Sequence, residues 1–124
     1  GFSLSAKGKT TVAQGTILHP PDTARSASGN GTARQLGAGT GKKVYAGLHV
    51  IQANGTAPTL DVKVQTDDAS GFASPTDLIT FARATAVGAQ FLSATGNADT
   101  WYRVTYTIGG TTPSLKFLAV VGVR

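Results

Sequence analysis

Hydrophobic and polar residues alternate along several short stretches of this chain. The clearest is TLDVKVQT at 59–66, in which Leu60, Val62 and Val64 are separated by polar residues. Because successive side chains of a strand point to opposite faces, a period of two predicts half-buried β-strands. The same alternation, or an apolar run of strand length, occurs at 44–52, 78–85, 86–94, 100–108 and 114–123.

Segments rich in Gly, Pro, Asn and Asp separate these stretches, as is typical of strands joined by turns. No segment has a helical period. Several short strands at regular spacing predict an all-β fold with little or no helix, arranged as an antiparallel β-sandwich of the jelly-roll or Ig-like kind.

One phrase occurs twice. NGTAPTLDVKVQ (54–65) and GGTTPSLKFLAV (109–120) both place Gly-Thr-x-Pro before a strand. Glycine permits a positive φ and proline fixes the next φ, so the phrase is typical of a turn. We therefore predict two hairpins, 44–52 with 59–66 and 101–108 with 114–123. Internal duplication and independent use of the same turn chemistry both account for the repeat.

The last predicted strand is apolar on both faces. Leu118 and Val120 occupy positions where the strand at 59–66 has polar residues. A strand that is apolar on both faces is covered on both faces. Leu118 and Val120 are therefore predicted either to form a partner or oligomer surface, or to lie in the centre of a tightly packed sandwich.

Positive charge is concentrated at the start of the chain. The 124 residues carry a net charge of +5, and residues 1–43 account for all of the excess. We interpret 1–43 as a basic arm or linker, rich in Gly, Ser and Thr and with short strands, and 44–124 as the sandwich domain. Lys7, Lys9, Lys42 and Lys43 are candidate contacts for an anionic partner. Without interleaved aromatic residues, they favour a protein surface over nucleic acid.

The sequence has few residues of the types that catalyse reactions or bind metal ions. The chain has no Cys and two His, and no Gly-x-Ser-x-Gly nucleophile motif. We predict a non-enzymatic protein with no cofactor and no metal. Asp67, Asp68 and Asp77 lie in one turn-rich segment, but their spacing matches no EF-hand and is ordinary turn chemistry. Trp101 is either a packing residue or a platform on which a glycan stacks.

Two further expectations concern location. No apolar run is long enough to cross a bilayer, so no membrane contact is predicted. The chain contains no Met, even at position 1, which suggests a processed protein or a domain of a longer polypeptide.

Three stretches resemble a known family. AGLHVIQANGTAPTLDVKVQTDD, LITFARATAVGAQ and WYRVTYTIGGTTPSLKFLAVV are similar to the carboxy-terminal domain of the tail tube (major tail) proteins of long-tailed bacteriophages. The resemblance is concentrated in residues 44–121. It implies an outward-facing β-sandwich in the virion tail, present in many copies and in contact with itself and other virion proteins.

The resemblance brings no functional residues, and it leaves three alternatives. The first is a decoration or cement protein on the phage head. The second is a surface adhesion module that binds host glycans. The third is a cellular β-sandwich that binds other proteins.

Overall fold

The computed structural model describes residues 16–21 and 23–124, and these residues form strands and turns. Every strand pairing is antiparallel, which confirms the predicted all-β antiparallel fold. In the described residues, no helix is long and apolar enough to cross a membrane. The strands are β1 (Thr16–His19), β2 (Gly29–Asn30), β3 (Arg34–Gln35), β4 (Lys43–Asp67), β5 (Thr76–Thr80), β6 (Gly88–Thr95) and β7 (Trp101–Val123).

Two long strands, β4 and β7, pair with each other along their whole length. Val44 lies opposite Val123 at one end of this ribbon, and Asp67 lies opposite Trp101 at the other. The two predicted hairpins are therefore wrong. The Gly-Thr-x-Pro phrases lie in the middle of β4 and β7 and face each other, and the register shifts there.

The phrases bend the ribbon instead of reversing the chain. Gly55 and Gly110 have φ values of 111° and 110°, and Ala57 and Thr112, which precede the prolines, have φ values of 50° and 47°. A Cβ at Gly55 would lie 2.6 Å from the carbonyl oxygen of Thr112, and one at Gly110 would lie 2.7 Å from that of Ala57. Equivalent positions thus have equivalent geometry, and each phrase packs against the other.

The bend divides the ribbon between two sheets. The first sheet contains, in order, β1, residues 114–123 of β7, residues 43–54 of β4, and β6. The second contains β2 and β3, then residues 101–109 of β7, residues 59–67 of β4, and β5. With β2 and β3 counted as one strand, the halves of β4 and β7 counted separately, and all eight numbered in chain order, these orders are 1-8-3-6 and 2-7-4-5. Of the two predicted topologies, the jelly roll is the one observed.

The hydrophobic core lies between the two sheets. Tyr106 of the second sheet contacts Phe117 of the first, with ring centroids 5.1 Å apart. The core cluster draws apolar side chains from both halves of β4 and of β7. Its members are Leu18, Val44, Ala46, Leu48, Val50, Leu60, Val62, Val64, Ile79, Phe81, Tyr102, Val104, Tyr106, Leu115, Phe117, Ala119 and Val121.

Strand β1 also contributes to this core. A register shift between Ile17 and His19 directs both Leu18 and His19 inward, and each is only 1% exposed. The His19 ring stacks on Phe117, with centroids 4.0 Å apart, and its Nδ1 lies 3.1 Å from the Phe117 carbonyl oxygen. Strands β1, β2 and β3, all within residues 16–35, complete one edge of each sheet.

Candidate interaction surface

The outer face of the first sheet has an apolar row that crosses all four of its strands. Ile17 of β1 lies opposite Val120, Val120 opposite Gly47, and Gly47 opposite Phe91 of β6. Opposite residues of paired strands share a face, so these positions form one row across the sheet. Ile17 and Phe91, at the two ends of the row, are 38% and 71% exposed.

Because Gly47 has no side chain, Phe91 and Val120 can approach each other across it and form a continuous surface. A Cβ at this position would lie 3.3 Å from the Phe91 ring and 3.4 Å from a methyl group of Val120. The ring also lies beside Tyr45, with centroids 6.5 Å apart. Gly47, Phe91 and Val120 contribute to the lining of a shallow groove of about 290 Å³. Its outward-facing residues are Gly47, His49, Ala89, Phe91, Leu118 and Val120, and we call them, with Ile17 and Tyr45, the apolar face.

The outer face of the second sheet is polar. Arg83 forms an ion pair with Asp61 at 2.9 Å, and Lys63 forms one with Asp77 at 3.2 Å. Gln65 links this network to the next strand, because it also accepts a hydrogen bond from Arg103 at 3.0 Å. A domain whose two outer faces both contact water is expected to be polar on both of them. The apolar face is therefore the part of the surface that is best suited to contact another protein.

Carboxylates on the polar side are held in their charged form. Hydrogen bonds from Gln65 and then Lys63 lower the pKa of Asp77. A hydrogen bond from the backbone N–H of Ser74 lowers the pKa of Asp67, and the N–H of Asp68 acts in the same direction. Asp67 thereby fixes the loop between β4 and β5.

The same contacts engage two of the three acidic residues of this turn-rich segment. Asp67 is engaged with backbone N–H groups of its own loop, whereas Asp77 is engaged with Lys63 and Gln65. Within residues 16–21 and 23–124, no group of three His, Cys, Asp or Glu residues is placed to hold a metal ion.

The predicted partner residues Leu118 and Val120 lie together on the apolar face, both half-buried. The predicted glycan residue Trp101 belongs to the second sheet, where it pairs with Gln35 and Asp67 and is partly exposed. The partner surface and the glycan platform predicted from the sequence are therefore on different sheets.

The four candidate lysines fall in two places. Lys42 and Lys43 are exposed at the start of β4, where Lys43 exchanges backbone hydrogen bonds with Arg124. These three residues put positive charge at one end of the first sheet. Lys7 and Lys9 lie outside the described residues, and a role for the lysines in contacting an anionic partner stays a prediction.

Sequence reasoning missed the contribution of Ile17, Tyr45 and Phe91 to the apolar face. A signal was present for Phe91, since GAQFLSAT (88–95) has no charged residue. Its mixture of small and apolar residues, however, has no clear period, so the outward face could not be identified. Leu18 and His19 both face inward, so the alternation is broken in β1 and the sequence could not show that Ile17 faces outward.

The fold and surface define a jelly-roll β-sandwich with one polar and one apolar outer face. No family model matches the sequence, and no curated protein matches it. Among solved structures, the SPBc2 prophage-derived protein YomS is similar at a TM-score of 0.48 and 11% identity, over 95% of this chain and 100% of that one. PirA is similar at a TM-score of 0.45 and 12% identity, over 95% and 98%. Structural similarities at these TM-scores and identities do not indicate a function.

Proposed function

We propose that this chain is a non-enzymatic structural domain of a bacteriophage virion, displayed in many copies on the outside of the tail tube. The observation that carries the proposal is the apolar face. Monomeric soluble proteins rarely expose a contiguous apolar patch that crosses a whole sheet, and such patches mark interaction sites. A virion domain has permanent neighbours that cover it.

Two further features support this assignment. The stretches that resemble tail tube proteins cover most of the two strands that form the bent ribbon, namely β4 and β7. A jelly roll also suits repeated display, because viral capsid domains use this architecture. In this role the polar second sheet faces solvent and the apolar face contacts the particle.

Attachment through the apolar face is tested by placing charge in its centre. Particles are assembled with Leu118→Lys or Val120→Lys protein, and the number of copies per particle is measured by quantitative mass spectrometry. Burying a lysine without a partner costs several kcal/mol, so we expect incorporation to fall by at least about tenfold. Thr107→Lys, on the exposed polar side, is the matched control and keeps normal incorporation.

Incorporation of the Leu118→Lys and Val120→Lys proteins at the level of the control would contradict attachment through this face. The position in the virion is tested by comparing particles that contain the protein with particles that lack it. Heads that lose heat resistance when the protein is absent would assign it to the head as a cement protein. Heads of unchanged heat resistance, with the protein present on tails, are the result that we expect.

A further inference from the structure

Strand β6 is an open edge of the first sheet. Its eight residues, GAQFLSAT, contain neither charge nor proline, and they pair with β4 from Gly88 to Thr95 without a register shift. In the described part of the chain, no strand pairs with the other side of β6. Such an edge is a template for another strand, and proteins normally protect it.

The other edges in the described residues are protected. Strand β5 has five residues, follows Pro75, carries Asp77 and contains a register shift. Strands β2 and β3 have two residues each, and β1 has four and a register shift. Short length, charge, proline and irregularity are the usual defences against edge pairing. Only β6, among these edges, has none of them.

The backbone shows which groups of β6 are available. The N–H of Gly96 donates to the carbonyl of Lys42, and Lys43 instead exchanges hydrogen bonds with Arg124 on the opposite side. Because hydrogen-bonded and non-hydrogen-bonded pairs alternate in an antiparallel ladder, even-numbered residues of β6 bond to β4. Ala89, Phe91 and Ser93 therefore direct their N–H and C=O groups towards the open edge.

We propose that β6 pairs antiparallel with β6 of a second copy of this chain, with the twofold axis at Phe91. In this register Phe91 lies opposite the same residue of the second copy, and Ala89 lies opposite Ser93. The pairing forms about six backbone hydrogen bonds, two for each bonded pair. It joins two four-stranded sheets into one of eight strands.

Two observations favour a second copy as the partner. Strand β6 has no charged residue, so no like charges meet when it pairs with β6 of a second copy. An antiparallel pair of identical strands is also self-complementary, as a twofold interface requires. Phe91 is 71% exposed and lies at the end of the apolar row, so pairing buries two rings and makes the apolar faces of both copies continuous.

This inference does not depend on a virion role, and it is tested on the purified chain. Analytical ultracentrifugation is expected to give a mass twice the 12.6 kDa of one chain. Two variants should give monomers. Phe91→Lys places two like charges at the axis, and Ser93→Pro removes an N–H that points to the open edge while leaving the bonds to β4 intact.

Three controls distinguish edge pairing from a general effect of added charge, from contact through the apolar face and from unfolding. Thr107→Lys adds the same charge on the other sheet and should remain a dimer. Leu118→Lys should also remain a dimer, because the edge contact does not use that side chain. The thermal unfolding midpoint of the Ser93→Pro monomer should show that it is folded. A monomeric parent chain, or dimers of both β6 variants, would overturn the proposal, as would a dimer that only Leu118→Lys dissociates.

Discussion

At the scale of single residues, the bend of the ribbon depends on two glycines whose backbone no other residue adopts without strain. Gly55 and Gly110 combine a φ near 110° with backbone atoms of the opposite phrase less than 3 Å from a Cβ position. A Cβ at either position would therefore meet backbone atoms, which cannot move aside as a flexible side chain can.

Gly110→Ala is therefore expected to lower the free energy of unfolding by about 1–3 kcal/mol, the usual cost of forcing a side chain into strained backbone. Urea denaturation of the parent and the variant measures this difference. Gly71→Ala is the control, because a Cβ at Gly71 meets nothing within 4 Å. Equal stabilities of the two variants would show that the bend does not require glycine.

The lowered pKa of Asp67 makes the free energy of unfolding depend on pH. Its pKa is lowered in the folded protein by the Ser74 and Asp68 N–H groups, so the unfolded chain binds more protons than the folded chain as the pH falls below the ordinary value. Its stabilising effect is complete above the unfolded pKa of about 3.9 and is lost as the pH falls through the folded pKa. Asp77 adds to the same trend.

Asp67→Asn should accordingly be less stable than the parent at pH 7, and its stability should change less below pH 4. Thermal unfolding from pH 7 to pH 2 gives both quantities. A variant with the same loss of stability on acidification as the parent would contradict this role of Asp67.

At the scale of elements, the sequence pattern predicted the strands well and their connections poorly. The period of two correctly placed Leu60, Val62 and Val64 inward. It could not reveal that 44–52 continues into 59–66 as one bent strand, because Gly-Thr-x-Pro is also ordinary turn chemistry. The pairing that decides between turn and bend lies about 55 residues away, beyond the reach of a local pattern.

Strand β1 provides a test at this scale, since its sequence alone gave only weak strand character. Leu18 is 1% exposed and Ile17 is 38% exposed. Leu18→Ala should cost about 2–4 kcal/mol of stability, as truncation of a buried leucine usually does, and Ile17→Ala should cost much less. Chemical denaturation measures both. Equal and small effects would mean that β1 packs only loosely.

At the scale of the whole molecule, the two sheets are built alike, but the first has an apolar row on its outer face and the second has a polar outer face. The sequence had already marked Leu118 and Val120 as apolar where polar residues were expected. It could not assemble the rest of the apolar face, because Ile17, Tyr45 and Phe91 come from three strands whose neighbours are set by the jelly-roll topology. That topology turns scattered residues into one surface next to an unprotected edge.

We propose that this domain is displayed in many copies on the outside of a phage tail and is attached through its apolar face. Electron cryomicroscopy of purified virions that contain the protein would show this arrangement. We expect density for the sandwich at regularly repeated positions along the tail, with the face that contains Leu118 turned towards a neighbouring protein. Virions without such density, or repeated copies attached through the polar second sheet with the apolar face in solvent, would contradict it.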